Sequence, residues 1–324
     1  MARPRGNKWQ GDALVDGRRV RRSFDTQGEA EAWEKRMDAG LPEGAPNTLK
    51  AFVADQFDHI WTDMKTKSVK NTNTNLEHAY QFFGADATLA SINSARIAEY
   101  IVRLKDKRFA NGTINSKLST LSKLLRRASR LDVIQTRPEI DFLPQGKGRQ
   151  RVLTEIEEKQ LVERAFHLGM ETSGHLINFL LYTGCRLGEA FKVGRHDTRH
   201  NGYVMFRNTK NGDDRSVRLV GPAKSSWDWA YKSTDADRPW QALCRGSFRH
   251  HWNYLRDDLG HADDPEFVPH MLRHTCATRL VVSNVALPKV KEWMGHRNIT
   301  TTMRYAHLAP QDLDDCAKAL SNFG

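Results

Sequence analysis

A chain of 324 residues is too long for one core of ordinary size, so two or three domains are expected. Lys and Arg outnumber Asp and Glu by 50 to 39, a formal net charge of +11, which points to a polyanionic partner such as nucleic acid, although a basic enzyme without one has the same balance. The four cysteines, Cys185, Cys244, Cys276 and Cys316, form no CxxC pair, which argues against a disulfide framework or zinc ribbon and for a reduced, cytoplasmic setting. The first ten residues lack the apolar core of a signal peptide, and no apolar run approaches the roughly 18 residues of a spanning helix, so no membrane partner is expected.

Residues 1–40 read as a small separate module. Two short strands are predicted within residues 9–24 on either side of Asp16-Gly17, a dipeptide suited to a tight hairpin turn. The second strand is crowded with Arg18, Arg19, Arg21 and Arg22. Thr26 and Glu29 have capping-box spacing and start a helix through about Met37. A β-ribbon with an Arg-rich face and a supporting helix can enter a DNA groove; the competing reading is a solvated basic tail.

Pro42, Gly44 and Pro46 mark a linker, and residues 47–144 form a second, helical domain. Leu118, Leu121, Leu124 and Leu125 recur at helical spacing and are assigned to its core. Lys117, Lys123, Arg126, Arg127 and Arg130 decorate the same helix and, with Lys65, Lys67 and Lys70, either flank a duplex or form an ordinary wet face. Residues 145–151 make a second polar linker, after which Thr154 and Glu157 open a third domain, 150–324. It is helical apart from two strands, Tyr203–Arg207 and Ser216–Val220, around an Asn211-Gly212 turn. The expected fold class is mainly α with small β elements, an α+β chain.

Three segments of the third domain carry chemistry. In the first, an apolar helix ends at Thr183-Gly184 and Arg186 sits where the next helix begins, so amides and a planar guanidinium favour a phosphate there. Glu189, three residues on, shares that face and can orient a neighbour. In the second, His270 and Arg273 are presented together by one helical turn. His270 and His274 have the i,i+4 spacing of a zinc site, but no Glu follows His270 and no carboxylate cluster lies nearby, so no metal is assigned. The third segment runs from Trp293 through Gly295-His296 to Tyr305-Ala306-His307.

The order Arg186, His270-x-x-Arg273, Gly295-His296, Tyr305, within the phrases TGCRLGEA, HMLRHTCATRL and MGHRNITTTMRYAH, resembles the tyrosine recombinases, in particular the phage integrases. Lys210 matches that family's hairpin lysine, and the catalytic resemblance covers roughly residues 150–310. It implies a catalytic set of Tyr305, Arg186, Lys210, His270, Arg273 and His296 and no cofactor. Tyr305 attacks the scissile phosphorus with His270 accepting its proton. Arg186, Arg273 and His296 hold the phosphate, and Lys210 protonates the leaving 5′-oxygen. The first two domains resemble arm-binding and core-binding domains. The implied partners are double-stranded DNA at core and arm sites, further copies forming a homotetramer, a DNA-bending host factor and an excisionase, in a bacterial nucleoid. Trp293, Met294, Ile299 and Met303 are expected to be core that positions the tyrosine segment, and His274 and His307 to be structural or phosphate-adjacent rather than catalytic. A closing helix, Gln311–Leu320, is expected to pack on a neighbouring protomer. The alternatives are a recombinase resolving chromosome or plasmid dimers, an inactive DNA-binding regulator, and a type IB topoisomerase.

Overall fold

The structure, a computed structural model, describes residues 3–6, 8–15, 18–38, 47–62, 64–146, 151–199, 201–207, 214–309 and 321. The chain divides into two compact units, Met1–Gly146 and Lys147–Gly324, and each is described by itself. No described helix is long and apolar enough to cross a membrane. Asp16-Gly17, Lys210, Asn211-Gly212, Cys316 and the Gln311–Leu320 helix expectation fall outside the described residues.

The first unit opens with an antiparallel sheet of β1 (Arg3–Arg5), β2 (Lys8–Val15) and β3 (Arg18–Phe24). The edge strand β1 went unpredicted because Arg3-Pro4-Arg5 shows no apolar alternation, and an edge is where a strand tolerates proline. The register pairs Ala13 with Val20 and Trp9 with Phe24, so the two-residue period puts these on one face. Helix α1 (Gln27–Asp38) covers that face, with Trp33 against Phe24 and Ala13. Thr26 and Glu29 make the reciprocal hydrogen bonds of the expected capping box.

The rest of this unit is helical: α2 (Leu49–Ile60), α3 (Thr66–Phe83), α4 (Ser94–Asp106) and α5 (Asn111–Arg130). Leu118, Leu121, Leu124 and Leu125 of α5 are all buried in one cluster with Phe52, Leu76 and Tyr100, as their spacing required.

In the second unit α6 (Glu155–His167) starts on the predicted Thr154/Glu157 capping box. Helix α7 (Glu171–Thr183) is its central element, apolar on almost every side through Leu176, Ile177, Phe179, Leu180 and Leu181. One-turn helix α8 (Leu187–Ala190) follows, then the antiparallel hairpin β4 (Tyr203–Phe206) and β5 (Arg215–Arg218). Helices α9 (Gly221–Lys232), α10 (Arg245–Asp258), α11 (His270–Val282), α12 (Leu287–Met294) and short α13 (Thr300–Met303) complete it. Trp227, Trp240, Trp252, Phe206 and Phe248 fill the space around α7.

Two helices end on left-handed glycines, Gly184 after α7 with φ 63° and Gly295 after α12 with φ 62°. A Cβ on Gly184 would stand 2.8 Å from Met294 Sδ and 3.0 Å from Cys276 Sγ, so both conformation and space demand glycine. Gly184→Ala is therefore expected to lower stability by about 2 kcal/mol or more, from left-handed strain plus overpacking. Gly112→Ala, in a helix with nothing near its Cβ position, is expected to raise stability by up to about 1 kcal/mol. Urea denaturation of the two variants checks both signs.

Candidate active site

The glycine-terminated ends of α7 and α12 set the geometry. Arg273, on the first turn of α11, is buried, and its guanidinium donates to Gly184 O at 2.6 Å and Met294 O at 2.5 Å. Both acceptors belong to helix C-termini, where unpaired carbonyls and the helix dipole present negative charge. Arg186 reaches the next carbonyl, donating to Gly295 O at 3.4 Å, so both arginines lean on the same turn that carries His296.

Glu189 does orient a neighbour, and in fact two. Its carboxylate accepts from Arg186 Nη1 at 2.7 Å and the Arg186 amide at 2.9 Å, and from Arg215 Nη2 at 2.8 Å. Helix α8 has a single turn, and the amide of Arg186 that precedes it is taken by the Glu189 carboxylate. Arg215 also donates to Trp293 O at 3.1 Å and lies over the Phe206 ring. It went unnoticed in the sequence because the strand was started one residue too late. The period of two, with Val217 buried and Ser216 exposed, places Arg215 inward.

Burial works to raise the Glu189 carboxyl, yet Arg215 and Arg186 hold it down at about 2. Burial, then Arg186 and Arg215, pulls Arg273 down to about 10. His296 is pushed down to about 3 by burial and then by Arg273, Arg186 and Arg215. Its Nδ1 lies 2.9 Å from Thr302 Oγ1. A neutral ring accepting the Thr302 hydroxyl there carries its own N–H at Nε2. A cavity of about 520 Å³ opens beside Gly295 and His296, lined also by Arg215, Lys289 and Lys291.

Tyr305 is buried, and its hydroxyl lies 2.5 Å from Nδ1 of His274, while His270, one turn earlier on α11, is exposed. Burial raises the phenol above its ordinary value, while Arg304 and Arg273 oppose that rise. Met294 is core as expected, but Ile299 and Met303 are exposed, and Thr302 and Tyr305 take the buried places. A segment this short turns on a different face from the one the apolar residues suggest. Arg186, Arg273, His296 and Tyr305 thus come together within one unit, with His270 edge-on to His274 at a ring separation of 4.8 Å. Among the described residues no three His, Cys, Asp or Glu side chains group as a metal site.

The basic residues of the first unit divide. On the sheet face away from α1 lie Arg3, Lys8, Arg19 and Arg21, all substantially exposed, with the three arginines gathered around Asp12 and Lys8 paired with Asp25. Arg22 lies on the other face, its guanidinium 5.7 Å from the Phe24 ring, and Arg18 occupies the start of β3. On α5, Lys123, Arg126 and Arg130 are exposed, and Lys123 lines a polar groove with Asn71, Asn75 and Ser116. Arg127 instead ties α5 to α2 through Gln56 at 2.8 Å. Lys117 departs from the expected wet face: it is buried, 5.0 Å from the Phe109 ring, and burial, then Lys107, lowers its pKa. A long aliphatic stem lets a lysine on the core side of an amphipathic helix be covered in this way.

These shifts fix the sign of a pH effect. His274, at about 4, and His296, at about 3, bind protons less readily folded than unfolded, where the value is near 6.5. Their contribution is fully present above pH ~7 and is lost as pH falls toward ~4. Glu189, about 2 against an ordinary 4.5, adds a further loss between those values. The urea midpoint is expected to fall from pH 7 to pH 4, and to fall less steeply in His296→Asn.

Residues 151–312 match the model of the phage integrase family. The integrase of Escherichia phage P2 is 26% identical over 311 residues, covering 93% of this chain and 87% of that protein. Among solved structures, a Tn1549 transposon integrase in complex with a circular intermediate DNA aligns at TM-score 0.72 and 19% identity, covering 86% of this chain and 100% of that one. A lambda integrase from a tetramer bound to a Holliday junction aligns at TM-score 0.65 and 17% identity, covering 92% of each chain. The chain belongs to the phage integrase family, the tyrosine recombinases of phage-integrase type.

Proposed function

We propose that this chain is an integrase that cuts and rejoins DNA at specific sites through a 3′-phosphotyrosyl link to Tyr305, joining phage or mobile-element DNA to a chromosome and in some settings releasing it. The observation that carries this reading is the meeting of Arg186, Arg273 and His296 on the turn Met294–His296, with Tyr305 within electrostatic reach of Arg273.

The chemical problem is to open a phosphodiester and keep its bond energy for resealing. Attack by a phenol exchanges one phosphate ester for another, so rejoining needs no ATP. Charge that builds on the nonbridging oxygens is met by Arg186 and Arg273, which keep free donors after serving the carbonyls and Glu189. Through its Nε2–H, His296 adds a further hydrogen bond. Lys210, by resemblance, gives the proton that the departing 5′-oxygen needs. With that charge met by protein cations, no metal enters the scheme.

In this reading residues 1–40 bind arm sites, 47–144 bind core sites and 150–324 carry the chemistry. The chain works as a homotetramer on two duplexes, with a DNA-bending host factor and an excisionase setting direction. The basic open face of the N-terminal sheet supports an integrase over a recombinase for dimer resolution.

Incubation of a suicide DNA substrate with the protein in EDTA is expected to leave a covalent adduct with wild type and none with Tyr305→Phe. A wild type that leaves no adduct would sink the proposal. Arg186→Lys and Arg273→Lys are each expected to slow adduct formation on the order of 10²–10³-fold, because a point charge does not reproduce the guanidinium fork. Replacing Arg19 and Arg21 by Gln is expected to weaken arm-site binding and to reduce its salt dependence by about 0.9 log unit per lost phosphate contact, with core-site cleavage unchanged.

A further inference from the structure

Two imidazoles stand one turn apart on α11, and the family resemblance assigns the proton of Tyr305 to the first, His270. The second is the one that touches the nucleophile. His274 Nδ1 lies 2.5 Å from the Tyr305 hydroxyl, and both groups are buried. The neighbours of the ring are His270 and Arg273 on α11 itself, Arg304 and Tyr305 on the segment after α13, and His296 after α12. Burial, then His270, Arg304 and Arg273, holds His274 at about 4, so the ring is neutral at pH 7. Burial also keeps the phenol protonated. A neutral ring facing a protonated phenol accepts its hydrogen at Nδ1 and carries its own N–H at Nε2.

We propose that His274 is a catalytic residue of strand cleavage: it docks the Tyr305 hydroxyl by a hydrogen bond and takes its proton as the phenolic oxygen bonds to phosphorus. The inference rests on Tyr305 being the nucleophile. In the step, the bond from Tyr305 oxygen to phosphorus forms and the bond from phosphorus to the 5′-oxygen breaks. The phenolic proton moves to His274 Nδ1, giving an imidazolium, and the 5′-oxygen takes a proton from a separate ammonium donor, the role that resemblance gives Lys210. On rejoining, Nδ1 returns its proton to the phenolic oxygen. Bound DNA brings countercharge, because a phosphate beside cationic neighbours favours the imidazolium and strengthens the base.

The test is single-turnover adduct formation by the full-length protein on a suicide duplex, read across pH 6 to 10 beside DNA binding and thermal melting. His274→Ala is expected to slow cleavage on the order of 10²-fold at pH 7, with DNA binding intact. The deficit shrinks as pH approaches the ionisation of the phenol, since hydroxide then removes the proton without the ring. In His274→Asn the amide oxygen can accept the hydrogen bond but not keep the proton. It is expected to melt near wild type and to show the same slow, pH-recoverable cleavage, which also covers the case of an unstable Ala variant. Cleavage at the wild-type rate in His274→Asn, or a deficit equal at every pH, overturns the proposal. So does a pH-recoverable deficit that belongs to His270→Asn alone. Absence of an adduct from wild type would instead refute the reading of Tyr305 as nucleophile.

Discussion

The buried guanidinium of Arg273, seated on the carbonyls of Gly184 and Met294, is the interaction on which the rest of the site depends. Removing a full charge from water costs several kcal/mol unless strong partners replace the solvent. Here the partners are the carboxyl ends of α7 and α12, two helices distant in sequence that meet where Met294 lies against Gly184. Each ends on a left-handed glycine, and the missing Cβ lets Met294 lie against Gly184 and Arg215 against Gly295. The site is therefore built first from the way two helices stop, and only then from side chains.

Charge balance is the second constraint. Arg186, Arg215 and Arg273 gather around the buried carboxylate of Glu189, with His296 and His274 close by. After burial, Arg186 and Arg215 lower Arg273, Arg273 with Arg186 and Arg215 lowers His296, and His270, Arg304 and Arg273 lower His274. In the proposed function, a phosphodiester entering this cluster supplies countercharge to these cations. Such a site is organised before its substrate arrives, which is the condition for electrostatic stabilisation of a transition state. Arg215 extends the arrangement to the β4–β5 hairpin, because one side chain joins β5, Glu189 and the end of α12.

Tyr305, the proposed nucleophile, sits in a different kind of environment. Tyr305 is buried beside the sulfur and aliphatic groups of Cys276, Val290 and Met294, with a nitrogen of His274 at its polar tip. Thr302 holds His296 from the same segment, so that imidazole and the tyrosine are positioned by one short stretch of chain.

Much of this could be read from the sequence, for reasons that are local. Capping boxes at Thr26 and Thr154, the leucine stripe of α5, the stop of α7 at Gly184 and the ordered set from Arg186 to Tyr305 all depend on spacing along the chain, and spacing is visible in one dimension. The apolar period likewise sufficed to make the chain mainly helical. Which side chains face one another was settled by packing between segments up to about a hundred residues apart. Arg215 joined Glu189, Lys117 turned inward to Phe109, Ile299 and Met303 turned outward, and the Tyr305 hydroxyl met His274. The sequence determined the elements and the inventory of reactive groups, since these follow from periodicity and residue chemistry. The tertiary structure alone decided the pairings, because a buried charge or hydroxyl takes whatever partner the core brings within about 3 Å, and sequence distance carries no record of that.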